Sequence, residues 1–477
     1  MKKRIGFLLL LLLLVLMGLL FLPRSLRDGE DAAESEGGIL SEREIGEIEE
    51  IAIQNRYDGF SVRQEEGGFV LADLPAEQVN AEYLFMLLDE SARVEYLALV
   101  SEEGKNLAPY GLDAPDAEVT VRYTDGSALS LIFGAEEPVS RGRYFMASGA
   151  GAIYLMDRSR VMRFIQPLKR FINFEIVPAR GFPSPLAAIQ SLRLSGEAFP
   201  RPVVISAVDA GNEEDMRIAS SFGAAGHLVR SPVLHEIDQK ECIEVFSSLT
   251  GLLNIEALDY NVSDEGLAAY GFDRPYVIAE FEYKQNAETA PVRIVLKAAR
   301  YRGGYILVRD DQRVVHRVEN KAFISTSYEK LVMRWFLTPF ITDIESIRIE
   351  RWRDAGPETH TIKLSGENNR SLAASLDGRP VDIDLFRKFY RLLISASNDG
   401  ALLEQPAQEG EPLLALAFSY RDPQKKDDTM IFSRGSLRRL NVTVNGVTEF
   451  AALERYYTVT ASALEALAEG RDFSTDW

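Results

Sequence analysis

One phrase of this chain occurs twice. NLAPYGLDAPDAEVTVRY begins at Asn106, and GLAAYGFDRPYVIAEFEY begins at Gly266, 160 residues later. A long-range repeat of this kind constrains the fold strongly, because two copies of one supersecondary unit must solve the same packing problem in the same way. The phrase is the centre of a longer unit. Before it, LFMLLDESARVEYLAL (from Leu84) aligns with VFSSLTGLLNIEALDY (from Val245), with apolar residues at intervals of three and four as on one helix face. After it, SRGRYFMAS (from Ser140) aligns with YRGGYILVR (from Tyr301), and each is followed by a hairpin partner, AIYLMD or RVVHRV.

Upstream, AAIQSLRLSG (from Ala187), TDIESIRIER (from Thr342) and GEIEEIAIQN (from Gly46) resemble one another. The match exposes a third unit that starts at IESIRIERW. Its helix is IDLFRKFYRLLIS, with Leu385, Phe386, Phe389, Leu392 and Leu393 on one face, and its strands are LLALAFSYRD, TMIFSRG and RRLNVTVNGVTEF. It has no Tyr-Gly phrase. Asp125-Gly126 and Asn445-Gly446 suit two-residue hairpin turns, which need positive φ. Proline-bearing ARGFPSP and LTPFITD mark the joints. The expected fold class is α+β: one N-terminal transmembrane helix, then tandem repeats of mainly antiparallel sheet with packed helices. The expected divisions are 1–27 (cytoplasmic tip and anchor), 28–40 (acidic tether), 41–180, 181–340 and 341–477 (three repeat units).

The phrase itself reads as punctuation between helix and sheet. Gly111 tolerates the left-handed conformation that closes a helix, and Leu112 can fold back on the last turn. Asp113 suits a turn, Pro115 starts an extended run without needing a ladder donor, and the Tyr110 hydroxyl can tie the turn down. Tyr270, Gly271, Asp273 and Pro275 repeat the pattern. A ligand-touching loop used twice is the alternative, but the geometry accounts for each residue without a ligand.

The helix followed by LAPYGLDAPDAEVTVRYTDGSALSLIFG and GRYFMASGAGAIYLMD resembles the bacterial family known as domain of unknown function 4340, over Leu71 to Arg180 and less closely over the second unit. The resemblance implies a single N-terminal membrane anchor and genes often found beside those of ABC-type permeases and a gliding-motility-type auxiliary protein. It supplies no catalytic residues.

The N-terminus agrees with an anchor. Ile5 to Leu22 is an unbroken run of 18 apolar or glycine residues. As a helix it measures about 27 Å, close to the hydrocarbon thickness of a bilayer. Lys2, Lys3 and Arg4 precede it and place the N-terminus in the cytoplasm. Neither a cleavage site nor a lipid-accepting cysteine follows closely. DGEDAAESEGG reads as an extended tether. Residues 1–27 hold five Lys/Arg and no acid, leaving 48 basic against 72 acidic residues, a net of −24. That balance argues against nucleic acid and anionic lipid surfaces as partners of the outer part.

Motifs for chemistry are few. The histidines are His227, His235, His316 and His360, and no pair has the spacing of a zinc helix. The single cysteine, Cys242, lies in a helix-like pattern and reads as a small buried residue. Ser327 to Lys330 (SYEK) has the Ser-x-x-Lys spacing of penicillin-recognising enzymes, without their companion motifs. SASNDGALLEQ, from Ser395, has an Asp399-Gly400 pair but lacks the ligands of a calcium loop at both ends. No catalytic, cofactor or metal residue is assigned. The expected function is a non-catalytic extracytoplasmic accessory or scaffold protein of an ABC-type transport complex. Its partners would be the membrane, through the N-terminal helix, and membrane transport proteins. The alternatives are a cell-wall or carbohydrate-binding envelope protein and, after that, an envelope hydrolase.

Overall fold

The computed structural model describes residues 37–477 except 73, 140, 223–225, 355 and 403–409. The expected anchor at 5–22 and most of the acidic tether lie outside the described residues. The tether's last residues lie in a strand, Gly38–Glu42, paired antiparallel with Arg93–Tyr96. Among the described residues no helix is long and apolar enough to cross a membrane.

Two compact units divide the chain, one ending at Asn173 and the other running from Phe174 to Trp477. The first unit holds one eight-stranded antiparallel sheet. Its spatial order is Gly68–Leu71, Gly59–Glu65, Ile48–Asn55, Ala117–Tyr123, Ala128–Glu136, Gly142–Ala147, Ile153–Asp157, Ala98–Ser101. Two meanders thus lie back to back, joined where their first strands, Ile48–Asn55 and Ala117–Tyr123, pair. The chain between the meanders carries the helix Ala81–Ala92 and the Tyr-Gly segment.

The second unit repeats this plan twice. One nine-stranded sheet joins Ile189–Gly196 to Val277–Tyr283 at its centre, and an eight-stranded sheet joins Ile344–Arg353 to Pro412–Tyr420. In both, the earlier meander runs outward on one side and the later one on the other, as in the first sheet. The three central strands are the segments that align in sequence. Their alternation sets Ile48, Ile51 and Ile53 inward in the first sheet, Ile189, Leu192 and Leu194 in the second, and Ile344, Ile347 and Ile349 in the third, all buried.

The edge strand Ala98–Ser101 of the first sheet has a counterpart in the second, Glu256–Asp259. In the third sheet the described residues show an isolated bridge from Ala401 to Phe450 on its last strand at the corresponding place. In each repeat the helix between meanders begins on a side-chain cap. Asn80 accepts from Tyr83 N–H, Asp238 from Glu241 N–H, and Asp382 from Asp384 and Leu385 N–H. These bonds satisfy donors that have no intrahelical partner, and fix where each helix starts.

Residues 181–340 and 341–477, read from sequence as separate units, share one core. A single buried apolar cluster runs from Ile176 to Leu467 through both sheets and includes Phe246, Phe281, Phe386, Phe418 and Phe450. Cys242 is buried in it, and burial raises its thiol pKa, so it stays protonated. A bidentate ion pair also joins these two sheets. Arg201 Nη1 and Nη2 donate to Glu449 at 2.8 and 3.0 Å, and Nη1 donates to Leu402 O at 2.9 Å.

Candidate functional site

The two Tyr-Gly segments adopt closely similar forms. Ala108–Tyr110 is one turn of 3₁₀ helix closed by Gly111 at φ 64°. Gly111 N–H donates to Ala108 O (3.1 Å), and Leu112 N–H reaches back to Leu107 O (3.2 Å). In the second copy a longer helix, Asp264–Ala269, precedes Gly271 at φ 89°. Gly271 N–H donates to Ala268 O (2.9 Å) and Phe272 N–H to Leu267 O (3.0 Å). Leu112 and Phe272 are buried, Asp113 and Asp273 exposed, and Pro115 and Pro275 half-buried at the mouth of a strand.

The hydroxyl tie expected of the tyrosines is made in the second copy, where Tyr270 donates to Asp259 Oδ2 at 3.3 Å. Tyr110 instead sets its ring edge-on to Tyr144, with centroids 5.0 Å apart. Phe272 packs with Val262, Ala299, Ile306, Val308 and Val315 in a small cluster of its own. Gly111 and Gly271 close a helix end, and Leu112 and Phe272 are buried against a sheet.

The other sequence candidates are dispersed. His227 Nε2 lies 2.9 Å from Ile189 O, and burial holds its pKa below the usual value. His235 packs edge-on to Phe450 (5.6 Å). Its pKa is lowered by burial. His316 Nδ1 lies 2.8 Å from Asn254 Nδ2, and burial holds its pKa down to about 4. His360 pairs with Asp377 at 2.8 Å on the third sheet. Ser327 precedes the single helical turn Tyr328–Leu331, with Lys330 exposed. Among the described residues no group of three or more His, Cys, Asp or Glu side chains is placed to hold a metal ion.

Two buried carboxyls have raised pKa values. Glu236, 4% exposed, has one oxygen without a hydrogen-bond partner among the described residues, and burial pushes its pKa up to about 8. Glu90 is pushed by burial to about 7, against the pull of Arg160 3.5 Å away.

A feature not foreseen from sequence is an open cleft of about 330 Å³ in the second unit. Its walls are two short runs held side by side. Trp335 pairs with Ser397 in an isolated antiparallel bridge, and Asn398 N–H donates to Arg334 O at 2.9 Å. Asp399 N–H donates to Ala451 O (2.7 Å), and its carboxylate takes an ion pair from Arg439 Nε at 2.7 Å. Trp477 closes one end. Its Nε1 donates to Ser395 Oγ (2.9 Å), and its ring stands edge-on to buried Tyr456 at 5.3 Å. Trp335 is 44% exposed and lines the cleft. The run Ser395–Asp399, which fails as a calcium loop, forms one wall of this cleft. The one signal available in sequence was the scarcity of tryptophan, since two of only three in the chain meet here.

The architecture defines a repeat protein of antiparallel sheets covered by helices. Residues 71–199 match the model of the family described as "Domain of unknown function (DUF4340)", and the chain resembles that family over this stretch. The match begins at the last residue of the first meander and ends just beyond the strand Ile189–Gly196. No curated protein matches the chain.

Proposed function

We propose that the chain is a non-catalytic extracytoplasmic accessory or scaffold protein of an ABC-type membrane transport complex. It is held in the membrane by Ile5–Leu22, with Lys2, Lys3 and Arg4 on the cytoplasmic side. The observation that carries this reading is what the repeats have in common. The three sheets keep one strand plan and one set of buried apolar positions, while polar contacts at equivalent places differ, as between Tyr110 and Tyr270. Sheet faces can hold partners, and such binding concentrates in a few anchors rather than one polar group. The apolar run at the N-terminus and the implied permease neighbourhood support the same reading.

The test is co-purification of the full chain from membranes with its transport partners. Ser327→Ala and His227→Ala should retain partners at the level of the parent chain once folding is checked, and deletion of Ile5–Leu22 should lose them. Protease added to intact protoplasts or spheroplasts should digest the sheets. Loss of activity in folded, partner-bound Ser327→Ala would sink the scaffold reading. A second reading, a carbohydrate-binding envelope protein, is favoured by the cleft at Trp335.

A further inference from the structure

We infer that the cleft at Trp335 binds a pyranose sugar, as one unit of a glycan. The inference does not depend on the transport reading. A pyranose has two flat faces of C–H groups and an edge of hydroxyls, so it calls for an open aromatic plane beside groups that both donate and accept hydrogen bonds. Trp335 supplies the plane, half exposed and fixed by the backbone bridge to Ser397. Asn398 and Arg334, with buried Ser397 beside them, line the cleft and carry a carboxamide, a guanidinium and a hydroxyl. The Asp399 carboxylate, held by Arg439 at 2.7 Å, adds fixed acceptors at the same wall.

The size agrees, since about 330 Å³ falls at the lower end of the range of small-molecule sites, about 300–1,000 Å³. The lining also argues against the nearest competitor. Among the described residues Leu453 is the only aliphatic side chain lining the cleft, so a hydrophobic peptide or an acyl chain would find little aliphatic surface there. The end at Trp477 is preorganised as well. Trp477 Nε1 is already bonded to Ser395 Oγ (2.9 Å), so the second indole packs the cleft without needing a ligand to satisfy it.

The experiment is calorimetric titration of the purified full chain in detergent with tri-N-acetylchitotriose and, separately, with maltotriose. At least one should give saturable heat. Trp335→Ala should weaken it at least tenfold, Trp335→Phe should weaken it less because a flat ring remains, and Asn398→Ala should weaken it with the melting temperature unchanged. Trp352→Phe, outside the cleft, should bind as the parent does. If Trp335→Ala fails to fold, Asn398→Ala and Trp335→Phe carry the test. Absence of saturable heat with both sugars overturns the assignment. Binding unaffected by all three cleft variants overturns it too, as does a response only to an apolar peptide titrated in parallel.

Discussion

Ile344 stands opposite Tyr420 across the central strand pair of the third sheet, and the ladder shifts by one residue immediately beyond them. The same relationship holds between Ile189 and Tyr283 in the second sheet and between Ile48 and Tyr123 in the first. In each case one residue, Glu345, Gln190 or Glu49, is left over as a bulge. A bulge sharpens the local twist and fixes where pairing starts, so its recurrence at one register is a mark of common construction that strand order alone would not give. The third sheet, without a Tyr-Gly phrase, carries that mark in full.

These isoleucines are fully buried, so truncation leaves a cavity. Ile344→Ala and Ile48→Ala should each cost about 2–5 kcal/mol. Because the chain divides after Asn173, the two should act on different transitions. Calorimetric unfolding should show Ile344→Ala lowering the melt that includes the second and third sheets together, and Ile48→Ala lowering another. A single transition shifted equally by both would contradict the division.

Gly111 and Gly271 both sit at positive φ, but their surroundings differ. A Cβ at Gly111 would stand 2.8 Å from Ala135 N, while at Gly271 the nearest atom is Ala299 Cβ at 3.9 Å. Gly271→Ala should therefore cost only the conformational strain, about 1–2 kcal/mol. Gly111→Ala should cost that and the clash with backbone, and Gly111→Val more still. Denaturant titration of the three variants checks the order, and equal costs at both glycines would refute it.

Glu449 is 3% exposed, and its charge is neutralised by Arg201. Arg201→Ala should destabilise the second unit by about 3–5 kcal/mol, because it strands a buried carboxylate. Adding Glu449→Gln to that variant should recover part of the loss. A double variant no more stable than Arg201→Ala would show that the pair's charge is not what matters.

Glu236 sets a pH dependence whose sign follows from its raised pKa. Below about 4.5 the carboxyl is protonated whether the chain is folded or not, and no penalty arises. As pH climbs from there to about 8, the unfolded chain releases a proton that the folded chain keeps, and stability falls. Glu236→Gln should match the parent near pH 4.5 and exceed it near pH 8, by an amount on the order of a few kcal/mol. Melting curves at the two ends of that window test it, and a variant no better at pH 8 than at pH 4.5 would rule it out.

The strand plan was legible because burial on one face imposes a period of two, and IEEIAIQN, IQSLRLSG and IESIRIER carry that period at corresponding places. The helix starts were legible too, in Asn80, Asp238 and Asp382, although the repeat was traced from its recurring phrases and apolar spacing without them. The cleft was not. Trp335 and Asn398 come together through one isolated bridge between irregular runs, and such a contact leaves no periodic trace. Nor could the shared core be read. An apolar face announces that it is covered but not by which neighbour, so the second and third repeats looked as separate as the first and second.

That shared core separates two things the word domain usually joins. The piece that was copied is one sheet with its helix, but the piece that stands alone is two such sheets from Phe174 to Trp477. A fragment cut near residue 340, at the proline-marked joint, would bare Phe336 on one side and Phe450 on the other, rings that lie 6.3 Å apart in the intact chain. Anyone dividing this protein for expression, or tracing its descent by duplication, must therefore cut in different places for the two purposes.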